Sequence, residues 1–219
     1  MNAMARPGSA ALGGGERAAS GVRLCAPLRC EALALRGASS ARVLRTGFGP
    51  RRSALAGARL GEHEPLAVAG LAGGVGATAG GVVVVADEVR DEAGSVRLPG
   101  ARTLADRLRA AGFAVLVGPI ISVDHVVGRP ERAALATTGV VAVDMESAAL
   151  ARAADRRLRA VVRVVVDTAQ TPLVHVRTPG RAVRALLRLR RLAPVLADWA
   201  AEDGSARRRC RPGPRDQSR

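Results

Sequence analysis

The 219-residue chain contains no lysine. A Walker A phosphate loop and any Schiff-base mechanism are therefore excluded, because both need a primary amine. All 34 basic residues are arginine, giving a net charge of +15. Alongside heavy use of Ala, Gly and Val, that charge reflects a GC-rich coding bias as much as a basic surface. Aromatics are as scarce: Phe48, Phe113 and Trp199 are the full set, too few for the stacking platform of a single-strand binder. With no RRM, zinc-finger or KH signature either, nucleic acid is not the expected partner. Cys25, Cys30 and Cys210 form neither an even disulfide framework nor a CxxC pair, which favours a reducing cytoplasm and argues against a structural zinc. No apolar run approaches the roughly 18 to 20 residues of a membrane span. Residues 1–20 carry Arg6 and Arg17 without a continuous apolar stretch, so they read as a disordered leader and not as a signal peptide.

What the chain does have is an alternation of short valine-rich runs with helical patterns between residues 21 and 200, enough for one core and one domain. Strands are expected at 22–26, 42–47, 66–73, 81–87, 113–118, 140–145 and 160–167. Thr103 with Asp106 resembles a capping box and Gly112 a helix stop. Pro130 suits a first helical turn ended by Gly139, and a third helix is expected from Glu146 to Arg157. The fold class is α/β: a single domain with a mixed, mostly parallel central sheet covered by helices on both faces.

Ligands of such sheets sit beyond the carboxyl ends of the strands, and there the sequence places acids. "VAVDMESAAL" (141–150) delivers Asp144 and Glu146 at a strand exit, and "AVVRVVVDTA" (160–169) closes on Asp167. Either acid suits the positive N-terminus of the helix that follows; Asp144 is expected to serve the fold in that way and the other, Glu146, a ligand. Arg163, inside its apolar strand, requires a carboxylate partner. The glycines of "TGFGP" (46–50) and "GLAGGVG" (70–76) suit tight turns, or a close approach of backbone to an anion or ribose.

In the order "APLRCEALAL", "RTGFGP", "GLAGG", "AVDMESAAL" and "VVRVVVDTA" the chain resembles the nucleoside phosphorylase and nucleosidase superfamily that includes methylthioadenosine/S-adenosylhomocysteine nucleosidase, over roughly residues 22–198. "GPIISVDHVV", "ATTGVVAVDMESAA" and "RVVVDTAQTPL" resemble its hopanoid-associated branch, whose proposed step removes adenine from adenosylhopane. The resemblance implies a catalytic pair, with Asp167 as the acid that protonates the purine and Glu31 activating water. It implies Glu146 and Met145 at the ribose, and Gly70, Gly73, Gly74, Val126 and Val127 as backbone or base contacts. Arg29 is the implied phosphate residue and Arg163 a charge partner. The family's other phosphate-binding arginine and serine fall at Val68 and Leu71, so hydrolysis is favoured over phosphorolysis, with inorganic phosphate the alternative co-substrate. Val126 stands where the nucleosidases put an aromatic against adenine. No metal or other cofactor is implied, and a homo-oligomer is.

Two readings compete with the enzyme: a nucleoside-binding protein that kept the fold without turnover, and a basic nucleic-acid-associated module acting through the arginine-rich tail. In "RAVRALLRLRRLAPVLADWA" (181–200), Arg181, Arg184, Arg188 and Arg191 recur on one helical face, with Val183, Leu186 and Leu187 away from it. Pro194 is expected to kink or end that helix. From 201 to 219 a disordered arginine-rich tail is expected. If the substrate is lipid-linked, this basic region would meet anionic headgroups, placing a cytoplasmic protein peripherally at the membrane.

Overall fold

The valine-rich runs form strands because β-branched side chains fit the pleated surface between two apolar layers. The computed structural model describes residues 22–37, 41–60, 64–170 and 178–209. In chain order the elements are β1 (Arg23–Ala26), α1 (Arg29–Arg36), β2 (Arg42–Arg45), α2 (Pro50–Ala58), β3 (Leu66–Gly74), β4 (Val83–Asp91), β5 (Gly94–Arg97) and α3 (Ala101–Ala110). There follow β6 (Val115–Ser122), α4 (Arg129–Thr137), β7 (Ala142–Asp144), α5 (Ser147–Ala154), β8 (Leu158–Asp167) and α6 (Thr178–Arg209). A single 3₁₀ turn, Asp155–Arg157, joins α5 to β8.

The sheet is mixed, as expected, but it is not open. β3 pairs with β8, β8 with β4, β4 with β6, β6 with β7, and β7 returns to β3, so five strands close a barrel. β1 and β2 extend it beside the start of β3, and β5 extends it beside the end of β4. Closure is possible because β3 and β4 are nine residues long and each divides one edge between two partners. β3 gives Leu66–Val68 to β1 and Gly73–Gly74 to β7. Register shifts at Ala72/Gly73 and between Ala86 and Val89 bend the strands, as bulges do. Alternate strand residues then feed two cores. Ala67, Ala69, Val83, Val85, Val162 and Val164 pack with α1, α3 and α6, while Val68, Val84, Val161 and Val165 pack with α5.

Several local expectations are corrected. α3 starts at Ala101 behind Gly100, so Thr103 lies inside the helix and caps nothing. β5 carries only exposed or half-buried side chains and has no apolar alternation to announce it. α6 runs through Pro194 to Arg209, so residues 201–209 are helical and not irregular. Proline in a helix interior costs about 3 kcal/mol, which is offset here by burial of Leu189, Leu192, Ala193 and Leu196 around it. The buried stripe of α6 is Ala185, Leu189, Leu192 and Leu196, whereas Val183 and Leu187 are exposed. Its arginines also make contacts: Arg188 donates to the carbonyl of Gly81, and Arg191 sits 5.7 Å over the Phe113 ring. The expected leader (1–20) and the remainder of the expected tail (210–219) lie outside the described residues, as does Cys210.

Candidate active site

The ends of six strands converge on a cavity of about 190 Å³. Its wall includes Leu28 and Glu31 after β1, Phe48 after β2, Leu71 to Gly73 on β3, Val126 and Val127 after β6, Met145 and Glu146 after β7, and Asp167 closing β8. Glu31, Glu146, Met145, Asp167, Gly73, Val126 and Val127, spread over 137 positions of sequence, thus share one chamber. A larger hollow of about 530 Å³ lies between residues 76–81 and α6, but no acid lines it. The carboxylates single out the smaller one.

One end of the chamber is built around Arg163. Its side chain is wholly buried, because β8 runs between β3 and β4 with Arg163 beside Gly70 on one and Val84 on the other. Arg163 Nη2 lies 2.6 Å from Asp144 Oδ2 and 3.9 Å from Glu146 Oε2, and it donates to Ser147 Oγ at 2.8 Å. Asp144 accepts from Ser122 Oγ (2.5 Å), the backbone N–H groups of Glu146 (3.3 Å) and Ser147 (3.2 Å), and Ser147 Oγ. Although it touches the cavity, Asp144 is committed to capping α5 and neutralising Arg163.

Glu31 and Glu146 are held differently, each by backbone N–H groups. Glu31 Oε1 accepts from Leu71 at 2.7 Å and Oε2 from Leu28 at 2.8 Å, tying α1 to β3. Glu146 Oε1 accepts from Gly49 at 3.1 Å. That N–H is available because Gly47 and Gly49 take φ of 91° and 88°, a region that side chains disfavour. The "TGFGP" loop therefore serves Glu146 through Gly49. Burial raises both carboxyls above their ordinary range, and the pull of Arg163 only partly opposes it. Three carboxylates around one guanidinium leave this end electronegative.

Asp167 marks the other end. It is 5% exposed, and burial raises its carboxyl against the lowering effects of Arg132 and, more weakly, Arg181. Arg132, from α4, forms an ion pair with Asp167 Oδ2. Arg132 was not legible in the sequence: within "RPERAAL" it looks like any arginine on a solvated helix, and it is buried instead. Phe48 was also missed as a site residue; it is half exposed at the cavity wall, an aromatic face that Val126 does not provide.

The structure reassigns the rest. Arg29 is exposed at the start of α1 and outside the cavity, because the buried face of that helix is Glu31, Ala32 and Leu35. Val68 is core. No side chain of the expected phosphate set brings a charge into the chamber. Gly70 and Gly74 do not line it, and they leave room for protein instead of ligand. A Cβ on Gly70 would stand 2.9 Å from Glu31 Oε1 and closer still to Arg163 Nη1, and one on Gly74 would stand 2.8 Å from the Thr78 carbonyl. His125, exposed at the rim, bonds Asp124 and Glu131 at 2.9 Å each. Among the described residues no His, Cys, Asp and Glu cluster could hold a metal ion.

The fold is shared with nucleosidases of known structure. The chain superposes on 5'-methylthioadenosine/S-adenosylhomocysteine nucleosidase from Neisseria meningitidis in complex with methylthio-immucillin-A with a TM-score of 0.69 at 19% identity, over 81% of this chain and 98% of that one. It is similar to S-adenosylhomocysteine nucleosidase from Streptococcus pyogenes in complex with 5-methylthiotubericidin (0.66, 21%, covering 83% and 96%). It is equally similar to the Streptococcus pneumoniae enzyme in complex with 8-aminoadenine (0.66, 21%, 81% and 99%). At these identities the likeness is one of fold. No protein-family model and no curated protein matches the sequence.

Proposed function

We propose that the protein hydrolyses the N-glycosidic bond of a purine nucleoside with a large 5' substituent, releasing adenine. The observation that carries this reading is the polarity of the cavity. Glu31 and Glu146 occupy one end and the buried Asp167–Arg132 pair the other. Breaking the bond between C1' and the base leaves positive charge on the sugar and negative charge on the base, and a site with fixed charges of opposite sense stabilises both. Glu31, its basicity raised by burial, takes a proton from water as oxygen attacks C1'. The electron pair of the C–N bond passes to the base, and Asp167 delivers the proton that makes it a neutral leaving group. Glu146 accepts from the ribose hydroxyls, with Met145 against the sugar face. Water is preferred to phosphate because Arg29 points away and Arg163 is already committed to carboxylates.

Adenine as the base is supported by the shared fold and by the resemblance of "VAVDMESAAL" and "VVRVVVDTA" to the nucleosidases. Adenosylhopane as the substrate is supported by the resemblance of "SVDHVV" and its neighbours to the hopanoid-associated branch. The exposed apolar side chains Phe48 and Val126 at the cavity rim suit a bulky apolar 5' group. The protein works in this reading as a homo-oligomer in the cytoplasm and meets its lipid-linked substrate at the membrane surface; no described helix is long and apolar enough to cross a membrane. The test is chromatographic detection of free adenine from methylthioadenosine and from 5'-alkyl adenosines of increasing length, with and without phosphate. Phosphate-independent release, faster with the longer substituent, is expected. Binding without release from any of them would leave a nucleoside-binding protein and sink the enzymatic reading.

A further inference from the structure

Arg132 is the one cation among the cavity-lining residues whose carboxylate partner is the proposed acid. Its guanidinium is tied on every side. Nη1 donates to the carbonyls of Gly74 (3.0 Å) and Asp167 (3.4 Å), Nε to that of Val127 (3.4 Å), and Nη2 pairs with Asp167 Oδ2. Space for it exists because β3 has glycine at 73, where a Cβ would lie 2.8 Å from Nη2. A buried ion pair contributes little stability over an apolar pair of the same volume, so closing the barrel does not require one here.

We propose, building on the nucleosidase reading, that Arg132 is a positioning residue: it fixes Asp167 at the base end of the cavity and stabilises the carboxylate that remains once the proton has passed to the departing purine. The Asp167 O–H bond breaks, an N–H bond forms on the base, the C1'–N pair moves to the base, and the anion left on Asp167 stands against a guanidinium that cannot deprotonate. The charged groups facing Asp167 are Arg132 from α4 and, at longer range, Arg181 from α6; His125, Glu31 and Glu146 share the chamber.

Asp167 must be protonated to act, so turnover falls as pH rises through its titration. Arg132 favours the anion, hence its removal moves that falling limb to higher pH, by about 1 to 3 units on the usual scale for an adjacent opposite charge. Arg132→Gln is expected to show this shift and, at neutral pH, a kcat reduced about tenfold or more with a smaller change in KM. Arg132→Lys, which keeps the charge and loses the planar fork, is expected to hold the limb near wild type at reduced kcat, and it serves as the readout if the glutamine variant does not fold. In an Asp167→Asn background Arg132→Gln is expected to add no further loss of kcat. Wild type that releases adenine, while Arg132→Gln leaves the limb where it was or Arg132→Lys keeps the wild-type kcat, overturns the role of Arg132 alone. Wild type that releases no adenine at any pH overturns the functional reading, and this role with it.

Discussion

Replacing Gly70 by alanine adds one methyl group at a place where the structure has no room for it. Gly70 lies beside Arg163 in the β3–β8 register, and the new Cβ would meet Arg163 Nη1 and, at 2.9 Å, Glu31 Oε1. Neither can step aside. Arg163 is wholly buried and held by Asp144 at 2.6 Å, and Glu31 is held by two backbone N–H groups. Overpacking alone costs about 1–3 kcal/mol, and breaking a buried ion pair costs about 3–5 kcal/mol. Because the methyl relieves its overlap by displacing the pair, the second figure governs. For a chain of this size, 3–5 kcal/mol corresponds to a fall in Tm of roughly 6–20 °C. Adenine release should fall as well, since Glu31 and Arg163 move together. Chemical and thermal denaturation measure the first effect, with Gly80→Ala as the control: nothing lies within 4 Å of a Cβ at Gly80, and that change should be neutral or stabilising by about 0.4–1 kcal/mol. A Gly70→Ala protein within 1 kcal/mol of wild type, cleaving at the wild-type rate, would refute the claim that this glycine exists to admit the Glu31–Arg163 arrangement.

Asp167→Asn is expected to leave the fold intact and slow cleavage by about 10² to 10⁴; unchanged turnover would remove Asp167 from the mechanism. Glu146→Gln should lower kcat about 10²- to 10³-fold with little change in Tm, whereas Asp144→Asn should destabilise by about 3–5 kcal/mol because it strips Arg163 of its nearest partner. Equal Tm losses from the two would contradict that division. Burial raises Glu31 and Glu146 in the folded state, so folding takes up protons above the ordinary carboxylate range. Their contribution to stability is therefore greatest at low pH and is lost as pH rises through the raised values; Glu31→Gln should flatten this slope in Tm measured from mildly acidic to neutral pH, and an unchanged slope would show that Glu31 is not the group responsible. Deleting residues 205–219 should weaken salt-sensitive binding to anionic vesicles, and binding that persists unchanged at low salt would exclude this segment as a membrane contact.

Much of the strand layout was legible because burial on two sides selects continuous apolar runs: those at 66–73 and 160–167 fall within two residues of β3 and β8. Barrel closure was not, since the β3–β7 and β4–β8 pairings join segments far apart in sequence and no local pattern records them. The acids were legible for a related reason. A charge that ends or interrupts an apolar strand must be explained, which singled out Asp144, Glu146, Arg163 and Asp167. Arg132 had no such signal, because a helix with one polar face has many arginines and only tertiary packing decides which one turns inward. The glycines misled in the opposite direction: they were expected to admit a ligand, and Gly70 and Gly74 admit the protein itself.

The β3–β8 pairing also sets an order of events during synthesis. Leu66 pairs with Leu158, 92 residues further along the chain, and Arg163 and Asp167 follow only after that. Until β8 has left the ribosome, β3 and β4 each have an unsatisfied edge, and Asp144, Glu146 and Glu31 have no guanidinium between them. A nascent chain of this topology must keep those edges apart from other strands while it waits, the condition in which slow, non-local pairing invites aggregation. The acid end of the chamber is therefore neutralised only when β8 brings Arg163 to it.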